Sequence, residues 1–435
     1  MKIEEKHIAE IKLKFSKIES KKDLLNLLND ARKFIYGEDC ELFKINQLTF
    51  YADPSKCPKR YETFMVKKKS GGERQINSPI KGLKSILRVL NFVLQSCFEP
   101  HKSANGFVLN KSIVTNAKQH LGKNYVYNID LKDFFHSFDR KKVKGALMQE
   151  PFNLKSEKEP LAFLIASLCT HPLEIEGEIK IVLPQGSPTS PTLTNLLCIR
   201  LDRRLKGLSK KVEASYSRYA DDITFSSSKN VFKNESFQKE LKRIIEEDQL
   251  LVINPKKTRL QTPKHRQEVT GLTVNIKPNV TNRYIKQIRM WIYYWEKYGY
   301  LRAQQLFTSD YRKDKGHIMK GQPNLVNVLS GKLDFLKMVK GEYDSTYVKL
   351  NKRFDKMNNS NNAITALIDL WENKGIEVAM NKFYLKSNNT LEIDTYSSSI
   401  EEKLNQTYKF SEFKKMIDLE MKNSGDDYLD KTKLL

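Results

Sequence analysis

The sequence predicts an α/β fold in which a small sheet carries acidic residues at its strand ends. Between residues 124 and 250, strand and helix patterns follow one another in the order strand, helix, strand, strand, helix. This order fits a split α/β sheet. Apolar residues recur at helical spacing in 80–98 and again from about 282 to 307, which indicates helices before and after the sheet.

The composition is strongly basic. The chain has 435 residues, and its 76 Lys and Arg outnumber its 52 Asp and Glu, so the net charge is +24 at pH 7. Hydrophobic residues make up 39%, enough for a sizeable core, and the length suggests about two to four domains. The charge favours a polyanionic partner, either nucleic acid or an anionic membrane surface. A basic but otherwise ordinary soluble protein remains open.

Targeting signals are not evident in the sequence. There is no run of about 18 apolar residues of the kind that spans a membrane, and the N-terminus, MKIEEKHIAEIK, lacks the apolar stretch of a signal peptide. We therefore expect a cytoplasmic protein with no membrane partner. The cysteines lack the spacing of zinc ligands and are expected to be reduced and mostly buried: Cys40, Cys57, Cys97, Cys169 and Cys198.

Local patterns predict the elements in chain order. Gly71-Gly72 indicates a hairpin, a tight turn is expected at Asp221-Asp222, and the polar run 358–362 is interpreted as a linker. The predicted elements are helices in 1–50, a strand pair in 61–77, a helix in 80–98, a strand in 124–130, helices to about 170, a strand pair in 215–227, a helix in 231–250, short strands in 251–275, a long helix in 282–307 and further helix in 326–355.

Three carboxylates stand out at predicted strand ends. Asp130 ends the apolar strand VYNID, and Asp221 and Asp222 lie in YADD between two strand patterns. Adjacent carboxylates at a hairpin tip repel one another unless cations neutralise them. Hard oxygen ligands of this kind suit Mg²⁺, and two such ions can activate a hydroxyl and stabilise a leaving pyrophosphate. Taken alone, the acidic pair could equally form an ordinary polar turn.

The surroundings of these carboxylates resemble the palm motifs of reverse transcriptases. Four blocks match in order, and a fifth, FMVKKKSGGERQINSP (64–79), resembles the fingers strands. The resemblance covers about residues 50–355. The four palm blocks are NIDLKDFFHSF (128–138), LPQGSPTSPTLTN (183–195), SRYADDITF (217–225) and LVINPKKTRL (251–260).

Two shorter elements resemble the bacterial retron-type subgroup. TNAKQH (115–120) is similar to the element that precedes the first palm strand, and EVTGLTVN (268–275) is similar to the element that enters the thumb. No integrase, RNase H or HNH nuclease pattern is recognised after the thumb. Defence-associated bacterial reverse transcriptases share part of these elements.

The resemblance implies a right-hand polymerase with fingers, palm and helical thumb, plus a small helical C-terminal extension. It implies an RNA-directed DNA polymerase that uses two Mg²⁺ ions and dNTPs. A structured non-coding RNA would serve as template and primer, an RNA 2′-hydroxyl would start synthesis of an RNA–DNA duplex, and an effector protein would act with it in antiphage defence. The corresponding domains are an N-terminal helical extension (1–50), fingers and palm (51–275), thumb (276–357) and C-terminal extension (358–435).

Two alternatives remain open. One is another defence-associated or mobile-element reverse transcriptase that uses a different RNA or needs no template. The other is an RNA-binding scaffold with an inactive palm.

The resemblance also assigns catalytic and nucleotide-binding residues. Asp130, Asp221 and Asp222 match the catalytic triad and metal ligands, completed by the carbonyl of Leu131. An aromatic at Phe135 would pack under the nucleotide sugar and exclude a 2′-hydroxyl, with one ring of the Phe pair expected in the core. The nucleotide-binding residues are Lys68, Arg74, Asp133, Phe134, Phe135, Gln185, Gly186 and Lys257.

RNA-binding residues are expected in two places. The retron-type elements contribute the first group, and the second lies on the basic side of the long helix, opposite its apolar side. These residues are Asn116, His120, Thr270 and Gly271 in the first group, and Arg283, Lys286 and Arg289 in the second.

Overall fold

A computed structural model of the chain describes residues 4–67, 72–315, 323–375 and 378. The chain divides into two compact units, Met1–Pro278 and Asn279–Leu435. Within the described ranges, no helix combines the length and the apolar composition needed to cross a bilayer. All five cysteines are free, and four of them are buried, as expected.

The first unit combines helices with short antiparallel strands. Its helices are α1 (Glu5–Ser16), α2 (Lys21–Tyr36), α3 (Ile45–Ala52), α4 (Lys81–Cys97), α5 (Ile113–Lys118), α6 (Arg140–Leu147), α7 (Glu159–Cys169), α8 (Ser190–Leu197), α9 (Ile199–Lys211) and α10 (Glu235–Lys242). Its strands are β1 (Tyr61–Lys67), β2 (Glu73–Pro79), β3 (Tyr125–Lys132), β4 (His171–Ile175), β5 (Glu178–Val182), β6 (Ser215–Tyr219), β7 (Asp222–Ser227), β8 (Val252–Ile253), β9 (Arg259–Gln261), β10 (Glu268–Val269) and β11 (Leu272–Thr273).

Most predicted elements of this unit are confirmed. The N-terminal helices pack their apolar faces on α4, and Ser20 caps α2 by accepting the Asp23 backbone N–H. Strands β1 and β2 form the predicted hairpin. The hairpin β4–β5 was not predicted. The helix expected over 231–250 begins at Glu235, where Asn234 caps it, and passes into a π-helical turn at Arg243–Glu247.

The central sheet has strand order β6-β7-β3-β8, with β9 also paired to β3. All its pairings are antiparallel. Buried aromatic side chains pack together on this sheet: Tyr216 contacts Phe225, and Phe225 contacts Phe232 and Phe237. The end of the sheet where β3 finishes and β7 begins carries polar residues, among them the predicted carboxylates.

The second unit is helical where it is described. Its helices are α11 (Asn282–Lys315), α12 (Leu325–Lys340) and α13 (Ser345–Lys374). Gly299 has φ +75° and breaks α11 into two helices, so the long helix predicted to Phe307 is not continuous. Ile288, Trp291 and Trp295 are buried on α11, whereas Tyr298 of the predicted apolar stripe is 46% exposed.

The linker predicted at 358–362 is wrong, because α13 runs through it without a break. Asn and Ser carry only a modest helix penalty, and the run contains no Gly or Pro that would end a helix. Leu350, Phe354 and Met357 are buried just before it and anchor the helix by packing. Most of the C-terminal extension lies outside the described residues.

Candidate active site

The predicted carboxylates meet at one end of the central sheet. Strands β3 and β7 pair so that Asp130 lies directly opposite Asp222. The turn before β7 consists of Ala220 and Asp221, one residue earlier than predicted. The Leu131 backbone N–H donates to the Asp221 carbonyl at 3.2 Å, which ties this turn to β3. The fold therefore brings together acids from two distant parts of the chain, because Asp130 precedes Asp221 by 91 residues and Asp222 by 92.

Burial and neighbouring negative charge raise the pKa values of Asp221 and Asp222. Desolvation by the surrounding protein, followed by the negative charges of Asp221 and Asp130, raises the pKa of Asp222 to about 6. Desolvation and then Asp130 also raise the pKa of Asp221, against lowering contributions from Lys257 and Arg74. A concentration of negative charge with raised pKa values is typical of a site that binds cations.

Asp130 is held by two residues of the loop after β8. The Lys257 ammonium donates to Asp130 Oδ1 at 2.9 Å, and the Asn254 amide donates to Oδ2 at 2.9 Å. The Asn254 backbone N–H also donates to the Asp130 carbonyl at 2.8 Å. Lys257 thus lies at the carboxylates, whereas the Lys256 side chain is exposed.

The donor set fits hard divalent cations by its chemistry. Asp130, Asp221 and Asp222 supply only oxygen atoms, the ligands that Mg²⁺ prefers. In the described part of the chain, however, no group of three or more His, Cys, Asp or Glu is already gathered around one point suitable for a metal ion. The Asp130 carboxylate is instead engaged by Lys257 and Asn254.

The loop of the second palm block packs against the β2 strand. The Asn77 backbone N–H donates to the Gln185 carbonyl at 2.8 Å. Gly186 has φ +124°, and a Cβ there would lie 2.7 Å from the Asn77 carbonyl oxygen. This position therefore requires glycine, because a side chain would collide with the β2 backbone. Arg74, on the same strand, is exposed, and Lys68 lies outside the described residues.

The two adjacent phenylalanines have different environments. Both lie in the turn that follows β3. Phe134 is 4% exposed and packs edge-on against Phe138, with ring centroids 5.4 Å apart. Phe135 is half-buried, and Asp133 has φ +46° with an exposed side chain. Phe134 therefore belongs to the core, as expected for one ring of the pair, and Phe135 is the more exposed of the two.

The first two predicted RNA-binding residues are buried, contrary to the expectation. Asn116 and His120 are both 0% exposed. The His120 ring nitrogens lie 2.7 Å from the hydroxyls of Ser217 and Ser226. Burial lowers the pKa of His120 to about 3, so the ring is neutral at physiological pH. Both side chains are structural here, because neither reaches a surface that RNA could contact.

Thr270 and Gly271 form the turn of the β10–β11 hairpin, with φ +47° and +81°. The Thr270 hydroxyl donates to the carbonyl of Ile113, at the start of α5, at 3.3 Å. Helix α5 contacts both strands of this hairpin. The two short elements that resemble retron-type enzymes therefore pack on each other. Gly271 is exposed.

The basic side of α11 matches its prediction. Arg283, Lys286 and Arg289 are exposed at a spacing of three residues, while Ile288 and Trp291 are buried. The helix thus has a basic face and an apolar face. Contact of the basic face with RNA remains a prediction.

Sequence reasoning missed Asn254. Its position inside the LVINPKKTRL block, three residues before Lys257, was the available signal. Among the described residues, its amide and the Lys257 ammonium are the side-chain groups that hydrogen-bond to the Asp130 carboxylate, so Asn254 orients that carboxylate.

Replacing Asn254 with Ala is expected to slow the DNA synthesis that the resemblance implies by about tenfold or more, because a hydrogen bond to a charged group contributes about 1.5–3 kcal/mol. Single-turnover primer extension measures the effect. Asn234→Ala removes the exposed cap of α10 and serves as a control with a comparable loss of stability. Equal rates of primer extension for Asn254→Ala and Asn234→Ala would contradict the role of Asn254 in orienting Asp130.

Comparisons with known proteins agree on one family. The family model described as "Reverse transcriptase (RNA-dependent DNA polymerase)" matches residues 66–276. The Retron Mx65 reverse transcriptase of Myxococcus xanthus is 38% identical over 232 residues, which are 51% of this chain and 53% of the relative. The Retron Ec86 reverse transcriptase of Escherichia coli is 31% identical over 306 residues, 68% of this chain and 83% of the relative.

The matches differ in extent. The chain spans about half the length of the Myxococcus xanthus relatives Mx65 and Mx162 that it matches. Among solved structures, telomerase from Candida albicans, in complex with a telomeric RNA fragment, aligns with a TM-score of 0.38 and 10% identity. That alignment covers 75% of this chain and 67% of the telomerase chain.

The antiparallel sheet with aspartates at its strand ends, set among helices, defines a right-hand polymerase fold, as predicted. The similarity to the Ec86 enzyme extends over most of that relative. The chain belongs to the family of bacterial retron-type reverse transcriptases.

Proposed function

We propose that this protein is an RNA-directed DNA polymerase that copies a structured non-coding RNA into DNA. The observation that carries the proposal is the pairing of Asp130 with Asp222 across β3 and β7, with Asp221 in the adjoining turn. Family membership supports the same activity.

Two Mg²⁺ ions would be held by Asp130, Asp221 and Asp222, with the Leu131 carbonyl as a further oxygen ligand. The chemistry that the bound ions supply is activation of the primer hydroxyl and stabilisation of the leaving pyrophosphate. The raised pKa values of Asp221 and Asp222 support this assignment, because bound cations would offset both the burial and the mutual repulsion that raise them.

Neighbouring residues would bind and orient the dNTP. Arg74 would pair with its phosphates, as would Lys68, and Asp133 would lie against the triphosphate. Lys257 would neutralise or protonate the pyrophosphate. Phe135 would exclude a 2′-hydroxyl by packing under the sugar, and Gln185 would contact the incoming nucleotide.

The RNA would serve as both template and primer, with the helices of 276–357 acting as the thumb. The exposed cations Arg283, Lys286 and Arg289 would track the backbone of the RNA–DNA duplex. Gly271, exposed at the β10–β11 turn, and its neighbour Thr270 would contact structured RNA. An effector protein and a role in antiphage defence in the cytoplasm complete the proposal.

The test begins with the full chain purified from cells that carry its native locus. Sequencing of the copurifying nucleic acids is expected to yield one discrete DNA that matches part of a structured RNA. The matched control is the Asp221→Asn, Asp222→Asn double variant, in which the DNA should be lost while the RNA remains.

Other outcomes would replace the proposal. Repeats or homopolymers in place of a template-matched DNA would indicate another kind of defence-associated reverse transcriptase. An RNA-binding scaffold would be indicated if wild-type protein failed to extend a primed RNA with Mg²⁺ and dNTPs, and if the double variant had no cellular phenotype.

A further inference from the structure

A fully buried ion pair lies beside the turn that carries the catalytic aspartates. Arg218 on β6 and Asp202 on α9 are both 0% exposed. The Arg218 Nε donates to Asp202 Oδ1 at 2.8 Å, and Nη2 donates to Oδ2 at 2.7 Å. The Tyr216 hydroxyl donates to Oδ1 of the same carboxylate at 2.6 Å. The guanidinium is therefore locked in one orientation by a bidentate pair.

The guanidinium of Arg218 also hydrogen-bonds to the turn before Asp221 and to helix α8. Nη1 donates to the Ala220 carbonyl at 3.2 Å, and Nη2 donates to Asn195 Oδ1 at 3.1 Å. The Asn195 amide donates in turn to the Gly106 carbonyl at 2.9 Å. One side chain thus connects helix α9, helix α8 and the residue that immediately precedes Asp221.

The turn itself is constrained on a second side by residues 103–106. Ala220 has φ +56°, a conformation that L-residues other than Asn and Asp rarely adopt. A Cβ on Gly106 would lie 2.6 Å from the Ala220 backbone nitrogen. Arg218 exchanges backbone hydrogen bonds with Ser103 and Asn105 at 2.9 and 2.8 Å. The strained turn persists because its surroundings fix it.

We infer that Arg218, oriented by Asp202, is a positioning residue that sets the Ala220 turn and thereby the places of the Asp221 and Asp222 carboxylates. A buried ion pair is weak support for stability, since apolar residues of similar volume often replace one without loss. The planar Arg218 guanidinium donates at once to side-chain acceptors on two different helices and to a backbone carbonyl. A lysine ammonium cannot reproduce this arrangement of donors.

This inference rests on the proposed function, because it concerns residues that would hold Mg²⁺ during DNA synthesis. The test compares Arg218→Lys and Asp202→Asn with wild-type full-length protein. Arg204→Lys is the matched control, because Arg204 lies on the same helix as Asp202 but pairs with Asp248, outside this network.

Two measurements separate positioning from stability. The first is binding of Mn²⁺ to protein without nucleotide or RNA, followed by electron paramagnetic resonance. The second is the Mg²⁺ concentration that gives half-maximal primer extension. Loss of a group that orients metal ligands costs about 10–100-fold in metal affinity or activity. Both variants are expected to shift both measurements about tenfold or more in the direction of weaker binding, and Arg204→Lys is expected to leave them unchanged.

The inference is overturned if the variants melt at lower temperature yet match wild type in Mn²⁺ affinity and Mg²⁺ requirement per folded molecule. Unfolding of both variants would likewise assign the pair to stability alone, whereas unfolding of Arg218→Lys leaves the isosteric Asp202→Asn to decide. Failure of the proposed function has a different signature, since wild-type protein would then neither bind Mn²⁺ nor extend a primer.

Discussion

Asp222→Asn is expected to reduce DNA synthesis on a primed RNA by roughly 10³-fold, the order lost when a group that stabilises the transition state is removed. The substitution keeps the size of the side chain but removes the negative charge opposite Asp130 on β3. Cations that neutralise the three carboxylates would be held less tightly, whereas the fold would be retained.

The same variant is expected to be more heat-stable than wild type in metal-free buffer at pH 7. The pKa of Asp222 is about 6 in the fold against an ordinary value of 3.8, so folding favours the protonated form. The contribution of this group to stability is greatest below pH 3.8 and is lost as the pH rises through 6. Because Asp222 keeps part of its surface in contact with solvent, solvent screening makes the gain small.

Single-turnover primer extension and thermal unfolding at pH 5 and pH 7 measure both effects. Asp39→Asn makes the same chemical change at an exposed position in the N-terminal region and should alter neither. Retention of more than about a tenth of the wild-type rate would refute a catalytic role for Asp222. A loss of stability at pH 7 would refute the electrostatic argument.

Stability is expected to fall steeply with acidification because of His120. Its pKa is about 3 in the fold against an ordinary value of 6.5, since burial disfavours the charged ring. His120 therefore binds a proton below pH 6.5 in the unfolded chain but remains neutral in the folded chain. Each unit of acidification between these two pKa values lowers the free energy of unfolding by about 1.4 kcal/mol, which amounts to about 5 kcal/mol over the whole range.

Unfolding in urea at several pH values between 7.5 and 4.5 measures this slope. His120→Gln can still hydrogen-bond within the site between Ser217 and Ser226, and it does not titrate. The His120→Gln variant is expected to be less stable than wild type at pH 7.5. The difference between their free energies of unfolding should become smaller as the pH falls. The pKa of His171 is lowered to about 4, mainly by burial. Its contribution to the pH dependence of stability is the same in wild type and in the variant. His265→Gln, at an exposed position, is the control, and parallel curves for His120→Gln and wild type would falsify the prediction.

The carboxylates could be predicted from sequence because their signals are local. Asp130 ends one apolar strand pattern, and Asp221 and Asp222 lie between two others. The palm motifs around them distinguished them from an ordinary polar turn. The environment of His120 could not be predicted in the same way. Its partners Ser217 and Ser226 lie 97 and 106 residues further along the chain, and no local pattern states that a histidine will be enclosed between them.

The same limit applies to the supporting residues of the site. Asp202 and Arg218 lie on a helix and a strand whose packing brings them together, and an isolated acid in a basic helix resembles a solvated surface residue. Gly186 needs a bare backbone because of Asn77, which comes from the distant strand β2. Packing between distant elements decided each of these outcomes.

The contact between α5 and the β10–β11 hairpin has a practical consequence for chimeric enzymes. The Thr270 hydroxyl, the Ile113 carbonyl and the backbone bond from Gly122 N–H to the Val274 carbonyl join two stretches that lie about 150 residues apart in the chain. A graft of either stretch from a relative would place new side chains against an unmatched partner. The two stretches therefore form a single module for exchange, and they should be transplanted together.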